Sequence, residues 1–339
     1  LPQYHPIPEN DEWWGEGFTE WTNVKKAKPL FKGHKQPVIP GELGYYDLIK
    51  TEGIQEKQAA LAKEYGIDGF IYYQYWFGGG KMLLEKPAEK MLANKNVDLP
   101  FCFCWANETW SGIWHGVPQN ILIEQKYLGV KDEEDYFNYN LKFFNDSRYI
   151  KIDGKPLYII YDVLAIPDLK NFLIRLRALA EKSGLKGLYI VASNRNPDDS
   201  LDFKEVGFDA KISYSFNEVF ESSRREVLNS FWFNFNKKIF KVMGLSKKPM
   251  IRLDFKNLYK NIKFRKISID TFPLILPNWD NSPRSGFNAV VIENSKPEIF
   301  EKQILKAQDF ILDSNNSHNF IVVKSWNEWA EGNYLEPDN

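Results

Sequence analysis

Eight short apolar runs, most of them followed by a helix-like pattern, constrain the fold of this chain more than any other feature of its sequence. Repeated strand–helix units produce a parallel sheet, and eight such units are the number found in a (β/α)8 TIM barrel. The predicted strands cover residues 1–5, 67–77, 100–110, 156–163, 188–194, 208–216, 272–280 and 320–326. The predicted helices cover residues 53–65, 81–94, 133–144, 168–184 and 296–314. The sequence therefore predicts an α/β fold, and specifically a (β/α)8 barrel.

Two segments interrupt the alternation of strands and helices. A long first βα loop runs through Asp47, and a basic, aromatic insertion at 222–269 separates strands six and seven. We expect residues 1–339 to form a single barrel domain, excised so that it lacks the first part of strand one and the last helix. An open doubly wound sheet is the alternative. It would need a glycine-rich phosphate loop, and the GGGK run from Gly78 to Lys81 has neither of the usual spacings.

The bulk composition excludes several classes of protein. A formal net charge of −1 argues against nucleic acid as a general partner, and the longest apolar runs are too short for a transmembrane segment. The scattered histidines show no zinc spacing, so we expect neither a metal nor a cofactor. Cys102 and Cys104 are alternate residues of one strand, which disfavours a disulfide between them. Two free thiols favour the cytoplasm over an oxidising compartment.

Polar and aromatic residues follow every predicted strand, at the end where barrel enzymes carry their active sites. The ends read Tyr4-His5, Gln74-Tyr75-Trp76, Trp105-Ala106-Asn107-Glu108, Tyr161-Asp162, Ser193-Asn194, Ser213-Tyr214, Asn278-Trp279-Asp280 and Trp326-Asn327-Glu328. Four of these ends carry a carboxylate, and many of the eleven tryptophans lie beside Gly, Asn, Glu or Asp. Flat indole rings beside polar groups are typical of a cleft that holds sugar rings. The pattern predicts an oligosaccharide or polysaccharide as the substrate.

The closing stretch SWNEWAEGNYLEPD carries the candidate catalytic residues. Glu328 ends the eighth strand and Glu331 begins the following turn, so both side chains can reach one cleft. Hydrolysis of a glycosidic bond needs two carboxylates, one that protonates the leaving oxygen and one that acts on the nucleophile. The other interpretation is that Glu331 only caps a helix or pairs with a lysine.

Several long motifs together resemble the WbsX-like proteins, which are linked to bacterial surface polysaccharides and often labelled glycosyltransferases. The motifs are LPQYHPIPENDEWWGEGFTEWTNV, PGELGYYDL, IYYQYWF, CWANETW and the closing stretch. The WbsX-like proteins are related to the endo-α-mannosidases and endo-α-mannanases of glycoside hydrolase family 99. That relationship implies a retaining mechanism in which Glu328 deprotonates the sugar 2-hydroxyl, forming a 1,2-anhydro intermediate. It implies that Glu331 is the general acid and then the general base.

The resemblance and the strand ends together give the predicted substrate-binding residues. These are Tyr4, His5, Trp21, Gln74, Trp76, Trp105, Asn107, Glu108, Asp162, Tyr214, Trp279, Asp280, Trp326 and Asn327. A second assignment makes Glu108 the acid and Glu328 the nucleophile, because many retaining barrel glycosidases use an Asn-Glu pair as their acid/base. A glycosyltransferase that builds a surface polysaccharide is the alternative function, and a carbohydrate-binding protein with an inactive barrel is a third.

The insertion mixes bases with aromatic residues. Between Arg224 and Lys266 the sequence holds thirteen Lys and Arg and two acids, Glu226 and Asp254. Such a segment is typical of a lid that contacts an anionic glycan or a membrane surface. The alternative is a solvated helical excursion whose aromatic side chains pack on the barrel.

Overall fold

The backbone combines one large curled sheet with helices, and the computed structural model describes residues 3–112, 117–193, 201–242 and 250–339. The strands are β1 Phe70–Trp76, β2 Met82–Leu83, β3 Phe101–Trp105, β4 Trp110–Gly112, β5 Val117–Ile123, β6 Lys151–Ile152, β7 Lys155–Ile160, β8 Tyr189–Ala192, β9 Ala210–Ser213, β10 Ile251–Asp254, β11 Asp270–Ile275, β12 Val290–Glu293, β13 Val322–Val323, β14 Asn327–Glu328 and β15 Asn333–Tyr334. The helices are α1 Pro8–Trp14, α2 Glu20–Lys26, α3 Ile54–Glu64, α4 Lys86–Ala93, α5 Val130–Phe144, α6 Leu169–Lys182, α7 Phe203–Val206, α8 Ser215–Asn229, α9 Phe231–Val242, α10 Phe255–Asn261, α11 Ser282–Ser285 and α12 Pro297–Asp313.

The parallel strands of the large sheet lie side by side in chain order. They follow the sequence β1, β3, β7, β8, β9, β11 and β13, and each pairs with the next. The short β2 adds antiparallel to β1, and β6 adds antiparallel to β7. A doubly wound sheet would reverse its strand order at one point, and no reversal occurs in the described sheet. The α/β class is therefore confirmed.

Burial on both faces explains why the central strands were predictable. All five residues of β3 are buried, and the last five residues of β7 are buried as well. Strands covered on both faces read as continuous apolar runs. The helices that cover them show helical periodicity; for example, α6 buries Phe172, Leu173, Leu176 and Ala180. Cys102 and Cys104 are free and buried, as predicted.

Four local predictions differ from the structure. Residues 3–5 form no strand, because the carbonyls of Gln3 and Tyr4 accept hydrogen bonds from Glu20, the first residue of α2, and from the loop residue Leu48. The helix predicted for 81–94 begins only at Lys86, since β2 occupies its first turn. The strand predicted for 320–326 is shorter in the structure, where only β13, Val322–Val323, is formed. The sequence interpretation also missed β12, which pairs in parallel with β10.

The basic insertion forms its own packed layer. It contributes α8, α9, β10 and α10, and α8 begins at Ser215, ahead of the predicted boundary at 222. Its buried apolar side chains form a cluster with the end of β11 and with β12, while residues 243–249 lie outside the described residues. The cluster holds Phe216, Ile251, Leu253, Phe255, Leu258, Ile262, Leu276, Val290 and Ile292.

Candidate active site

The carboxyl ends of the parallel strands border a cleft with a volume of about 320 Å³. The ends of β1, β3, β7, β9 and β11 contribute lining residues, together with α1, α2, α8, α11, the β4–β5 pair and the hairpin of β14 and β15. Aromatic rings dominate the walls, with Trp13, Trp14, Phe18, Tyr73, Tyr75, Trp110, Tyr161, Tyr214, Phe216, Phe220 and Trp279. The charged lining residues are Glu20, Glu108, Arg284, Lys324, Glu328 and Glu331. A polar cleft with flat apolar faces is suited to binding a sugar.

A tight hairpin presents Glu328 and Glu331 to this cleft. Glu328 ends β14, and Glu331 lies in the single 3-10 turn that connects β14 to β15. The chain reverses at Gly332, whose φ of 54° is in the left-handed region that glycine adopts without strain. A side chain at Gly332 would come within 2.8 Å of the backbone of Asp280. The turn therefore needs glycine, and it keeps both carboxylates on one wall.

The guanidinium of Arg284 bonds both of these carboxylates and a third. Its Nη1 donates to Glu331 Oε1 at 2.6 Å, its Nη2 donates to Glu328 Oε2 at 3.1 Å, and its Nε donates to Glu20 Oε2 at 3.0 Å. Nη2 also donates to Gln3 Oε1 at 3.1 Å. All four charged side chains are at most 11% exposed. Because they share one guanidinium, Glu328 and Glu331 lie close together in the cleft.

Electrostatic compensation explains how these acids tolerate burial. Burial raises the pKa of the Glu328 carboxyl, whereas the nearby positive charges of Arg284 and Lys324 lower it. Burial lowers the pKa of Arg284, but Glu20, Glu331 and Glu328 reverse that effect and raise it well above the ordinary value. Lys324 Nζ lies 3.4 Å from Glu331 Oε2 and 4.8 Å from the centre of the Trp279 ring.

A buried hydrogen-bond network supports the hairpin from behind. Tyr4 donates its hydroxyl to the carbonyl of Asn327 at 2.6 Å and accepts the backbone N–H of Trp329 at 3.0 Å. The side chain of Asn327 donates to the hydroxyl of Tyr46 at 2.8 Å. Trp21 donates its indole N–H to the carbonyl of Tyr46 and packs its ring 5.6 Å from the ring of Trp329. The predicted residues Tyr4, Trp21 and Asn327 thus orient the hairpin and are not part of the cleft lining.

Glu336 is the buried centre of this network. Its carboxylate accepts Trp329 Nε1 at 2.6 Å, Gln58 Nε2 at 2.7 Å and the Tyr46 hydroxyl at 3.0 Å. Burial raises the pKa of the Glu336 carboxyl to about 7, although the hydrogen bonds that it accepts oppose the rise. Glu336 therefore links helix α3 to the hairpin.

The side chains of Gln74, Trp76 and Trp105 point to the helical layer and do not line the cleft. Gln74 bonds Asn140 at 2.8 Å and accepts the hydroxyl of Tyr136 at 2.7 Å, and both partners belong to α5. The ring of Trp76 stacks 5.0 Å from that of Tyr136, and Trp105 Nε1 donates to the carbonyl of Trp76. Alternate residues of a strand point to opposite faces, and Tyr73 and Tyr75 occupy the cleft face of β1 instead.

Other predicted binding residues form the framework around the cleft. Asn107 donates to the carbonyl of Asp162 and to the hydroxyl of Tyr127, which ties two strand ends together. Asp280 accepts one hydrogen bond from Gln36 Nε2 at 2.7 Å, and its carboxylate lies 2.8 Å from His34 Nε2.

The remaining predicted residues divide between the core and the cleft. His5 is buried outside the cleft lining, and Trp326 packs 5.1 Å from Phe70. Glu108, Tyr214 and Trp279 do line the cleft. The predicted strand end at Asn194 lies outside the described residues.

Sequence reasoning missed Arg284, Lys324, Glu20 and Gln3. Arg284 lies in the NWDNSPRSG stretch directly after a predicted strand, and Lys324 precedes the glutamates by a few residues. Both positions were open to prediction, because buried acids need a nearby cation. Among the described residues, no group of three or more His, Cys, Asp or Glu side chains is arranged to hold a metal ion. No helix in the described ranges is long and apolar enough to cross a bilayer.

Sequence comparison identifies relatives across the whole chain. The family model described as "Glycosyltransferase WbsX" matches residues 1–339. The chain is 33% identical over 345 residues to the "Uncharacterized protein WxcX" of Xanthomonas campestris pv. campestris strain B100. The match covers 100% of this chain and 46% of that protein, so the chain spans about half the length of this relative.

Structural comparison identifies proteins with a similar fold. A "Glycoside hydrolase-like protein" superposes with a TM-score of 0.58 at 14% identity, covering 89% of this chain and 82% of that one. The GH99 endo-alpha-mannosidase of Bacteroides thetaiotaomicron, in complex with BIS-TRIS-propane, superposes with a TM-score of 0.55 at 14% identity. That match covers 99% of this chain and 85% of the mannosidase. At this level of identity the similarity concerns the fold.

Proposed function

This chain belongs to the WbsX family, and on that premise we propose that it is a retaining glycoside hydrolase acting on a bacterial surface or capsular polysaccharide. One observation carries the proposal: Glu328 and Glu331 are held on a single buried guanidinium in a cleft with aromatic walls. The fold similarity to the GH99 endo-alpha-mannosidase supports it. Mannose specificity does not follow from that similarity.

The proposed mechanism gives each carboxylate one role. Glu328 removes the proton of the sugar 2-hydroxyl, and the resulting oxygen attacks the anomeric carbon to form a 1,2-anhydro sugar. Glu331 donates a proton to the departing glycosidic oxygen. Glu331 then deprotonates a water molecule that opens the anhydro ring at the anomeric carbon, and Glu328 returns the proton to the 2-oxygen. Two inversions at the anomeric carbon give net retention.

The surrounding residues position the sugar in this proposal. Trp279 and Tyr214 provide flat faces after the carboxyl ends of the neighbouring strands β11 and β9, and Glu108 accepts hydrogen bonds from sugar hydroxyls. Arg284 fixes the orientation of both catalytic carboxylates before the substrate arrives. Fixed charges that need no reorganisation during the reaction are the main source of electrostatic catalysis.

The test is the release of reducing ends from surface polysaccharides in the absence of any nucleotide donor. The matched variants Glu331→Gln and Glu108→Gln separate the two assignments of the acid. We expect Glu331→Gln to lower the rate by about 10²–10⁴, as for loss of a general acid, and Glu108→Gln by about tenfold, as for loss of one hydrogen bond. The reverse order of effects would assign the acid to Glu108.

A glycosyltransferase of polysaccharide biosynthesis is the second candidate, and the description of the WbsX family as glycosyltransferases favours it. Both functions use the same cleft, but a transferase consumes an activated sugar donor. Failure to hydrolyse a broad glycan panel, together with incorporation of sugar from a nucleotide or lipid-phosphate donor, would replace the first proposal by the second. Proton NMR of the first-formed anomer tests retention.

We also infer that residues 1–339 form a single (β/α)8 barrel domain. Among the described residues, the parallel strands of the large sheet follow one another in chain order without reversal, as the strands of such a barrel do. An experimental structure of this chain tests the inference, and a sheet that reverses its strand order would contradict it.

A further inference from the structure

Helix α9 turns an apolar face away from the protein. Phe231 is 74% exposed, Trp232 70%, Phe235 44% and Ile239 38%. Positions separated by one, four and eight residues on a helix fall on one side of it. Contiguous exposed apolar patches in otherwise well-packed proteins mark interaction sites. We call the surface formed by Phe231, Trp232, Phe235 and Ile239 the α9 face.

The aromatic rings of the α9 face contact one another. The rings of Phe231 and Phe235 are stacked at 5.9 Å, and Trp232 lies 6.0 Å from Phe231 and 6.2 Å from Phe235. Phe233, from the other side of the helix, packs against the apolar cluster of the insertion. The helix is thus anchored through Phe233 while the α9 face remains exposed, so the face is not an unpacked part of the core.

Positive charge accompanies the α9 face. Lys237 and Lys238 are exposed on the same helix, and Arg224 and Arg225 lie on the preceding helix α8. The segment from Arg224 to Lys266 holds thirteen bases and two acids. An amphipathic helix with Trp and Phe on one face and Lys beside them is the pattern of helices that lie in the interface of an anionic membrane.

The helix is connected directly to the cleft. The first turns of α8 contribute Phe216, Asn217 and Phe220 to the cleft lining, and α9 follows after Ser230. A helix of this length places α9 about 20 Å from the cleft. A surface to which α9 binds would therefore lie near the sugar-binding residues.

We propose that the α9 face binds the surface of an anionic lipid bilayer. Phe231, Trp232, Phe235 and Ile239 enter the boundary between headgroups and acyl chains, and Lys238 contacts lipid phosphates. A second copy of the chain is disfavoured as the partner, because two strongly basic surfaces repel each other. A soluble acidic glycan is disfavoured because saccharides bind in concave sites, whereas the α9 face is the outer surface of a helix. The proposal is independent of the catalytic assignment, since binding is measured without turnover.

The experiment is flotation of the full chain with phosphatidylcholine vesicles that contain or lack phosphatidylglycerol. We expect binding to the anionic vesicles only. The double change Trp232→Ser with Phe235→Ser should lower the partition coefficient at least tenfold. Lys238→Gln, which removes a charge beside the α9 face and leaves the apolar residues intact, should lower it about fivefold.

Matched controls use equally exposed residues elsewhere. Leu312→Ser removes an apolar side chain that is 75% exposed on α12, and Lys57→Gln with Lys182→Gln removes two exposed charges on α3 and α6. Neither control should alter the partition coefficient. Equal binding to neutral vesicles, absence of binding, or loss of binding in the controls would overturn the proposal. Two other results would also overturn the proposal if the protein does not bind vesicles. One is concentration-dependent self-association that the α9 substitutions abolish, and the other is binding of a soluble acidic polysaccharide that they abolish.

Discussion

Replacing Arg284 by glutamine tests the electrostatic reasoning about the cleft most directly. The change removes the guanidinium that bonds Glu20, Glu328 and Glu331, all of which are at most 11% exposed. Removing one partner of a buried ion pair costs about 3–5 kcal/mol, because the remaining charges stay desolvated. We expect the free energy of unfolding to fall by about that amount at pH 7.

The loss should depend on pH with a defined sign. In the native protein, the positive charge of Arg284 lowers the pKa of Glu328. In the variant, we expect burial and the neighbouring carboxylates to raise that pKa above the unfolded value of about 4.3. A raised carboxyl pKa leaves full stability below the unfolded pKa, and stability is lost as the pH rises through the folded value. The deficit of the variant should therefore shrink between pH 7 and pH 4.

Urea unfolding followed by tryptophan fluorescence at several pH values measures this effect. Arg252→Gln is the matched control: Arg252 donates two hydrogen bonds to Glu293, at 2.7 Å and 2.6 Å, and lies over the Phe31 ring. The side chains of this pair are 45% and 32% exposed, so its removal should cost less than about 2 kcal/mol. A deficit for Arg284→Gln similar to the control, or one that is constant with pH, would refute the reasoning.

Two further substitutions test the support of the hairpin. Burial raises the pKa of Glu336 to about 7, so its ionisation should lower the stability of the wild-type protein by roughly 3 kcal/mol as the pH rises from about 4 to 8. Glutamine does not titrate, so Glu336→Gln should reduce this dependence of stability on pH. Thermal unfolding at pH 5 and pH 8 measures the difference. An unchanged slope would contradict it. Gly332→Ala should lose about 1–3 kcal/mol of stability and most activity, because the new methyl group would clash with Asp280. Gly80→Ala is the control: Gly80 has a φ of 78° and open space around it, so alanine there adds backbone strain without a clash. Equal losses of stability and activity in the two alanine variants would show that the close approach at Gly332 is unimportant.

The predictable part of the fold consists of elements whose signal is local. Strand β3 and helix α6 each bury a periodic or continuous set of apolar side chains, which can be read directly from the sequence. Strand β12 was missed because its run VVIE is only four residues long and its pairing partner β10 lies inside the insertion. Residues 3–5 resemble a strand in sequence, yet the carbonyls of Gln3 and Tyr4 accept hydrogen bonds from Glu20 and Leu48 and not from a neighbouring strand.

In the candidate site, too, residues in a local motif were predictable, whereas residues whose orientation depends on distant elements were not. Glu328 and Glu331 are three residues apart, so a local motif was enough to place them in one cleft. Gln74 and Trp76 were assigned to the cleft although they point to the opposite face of β1. The run FIYYQYW is aromatic on both faces, and the alternation of side chains does not indicate which face is inside until the partner helix α5 is known.

Burial of the acids sets a requirement that the motif alone does not reveal. Three carboxylates in a cleft with aromatic walls are unstable without a cation, so a cation had to be close to them. Arg284 meets that requirement through contacts separated by 44 residues from Glu328 and 264 residues from Glu20. Its guanidinium makes four hydrogen bonds here, to four different side chains, in a planar geometry that lysine cannot reproduce. The same residue therefore compensates the charge of the acids and fixes their orientation, which makes the arginine, and not the glutamates alone, the defining feature of this cleft.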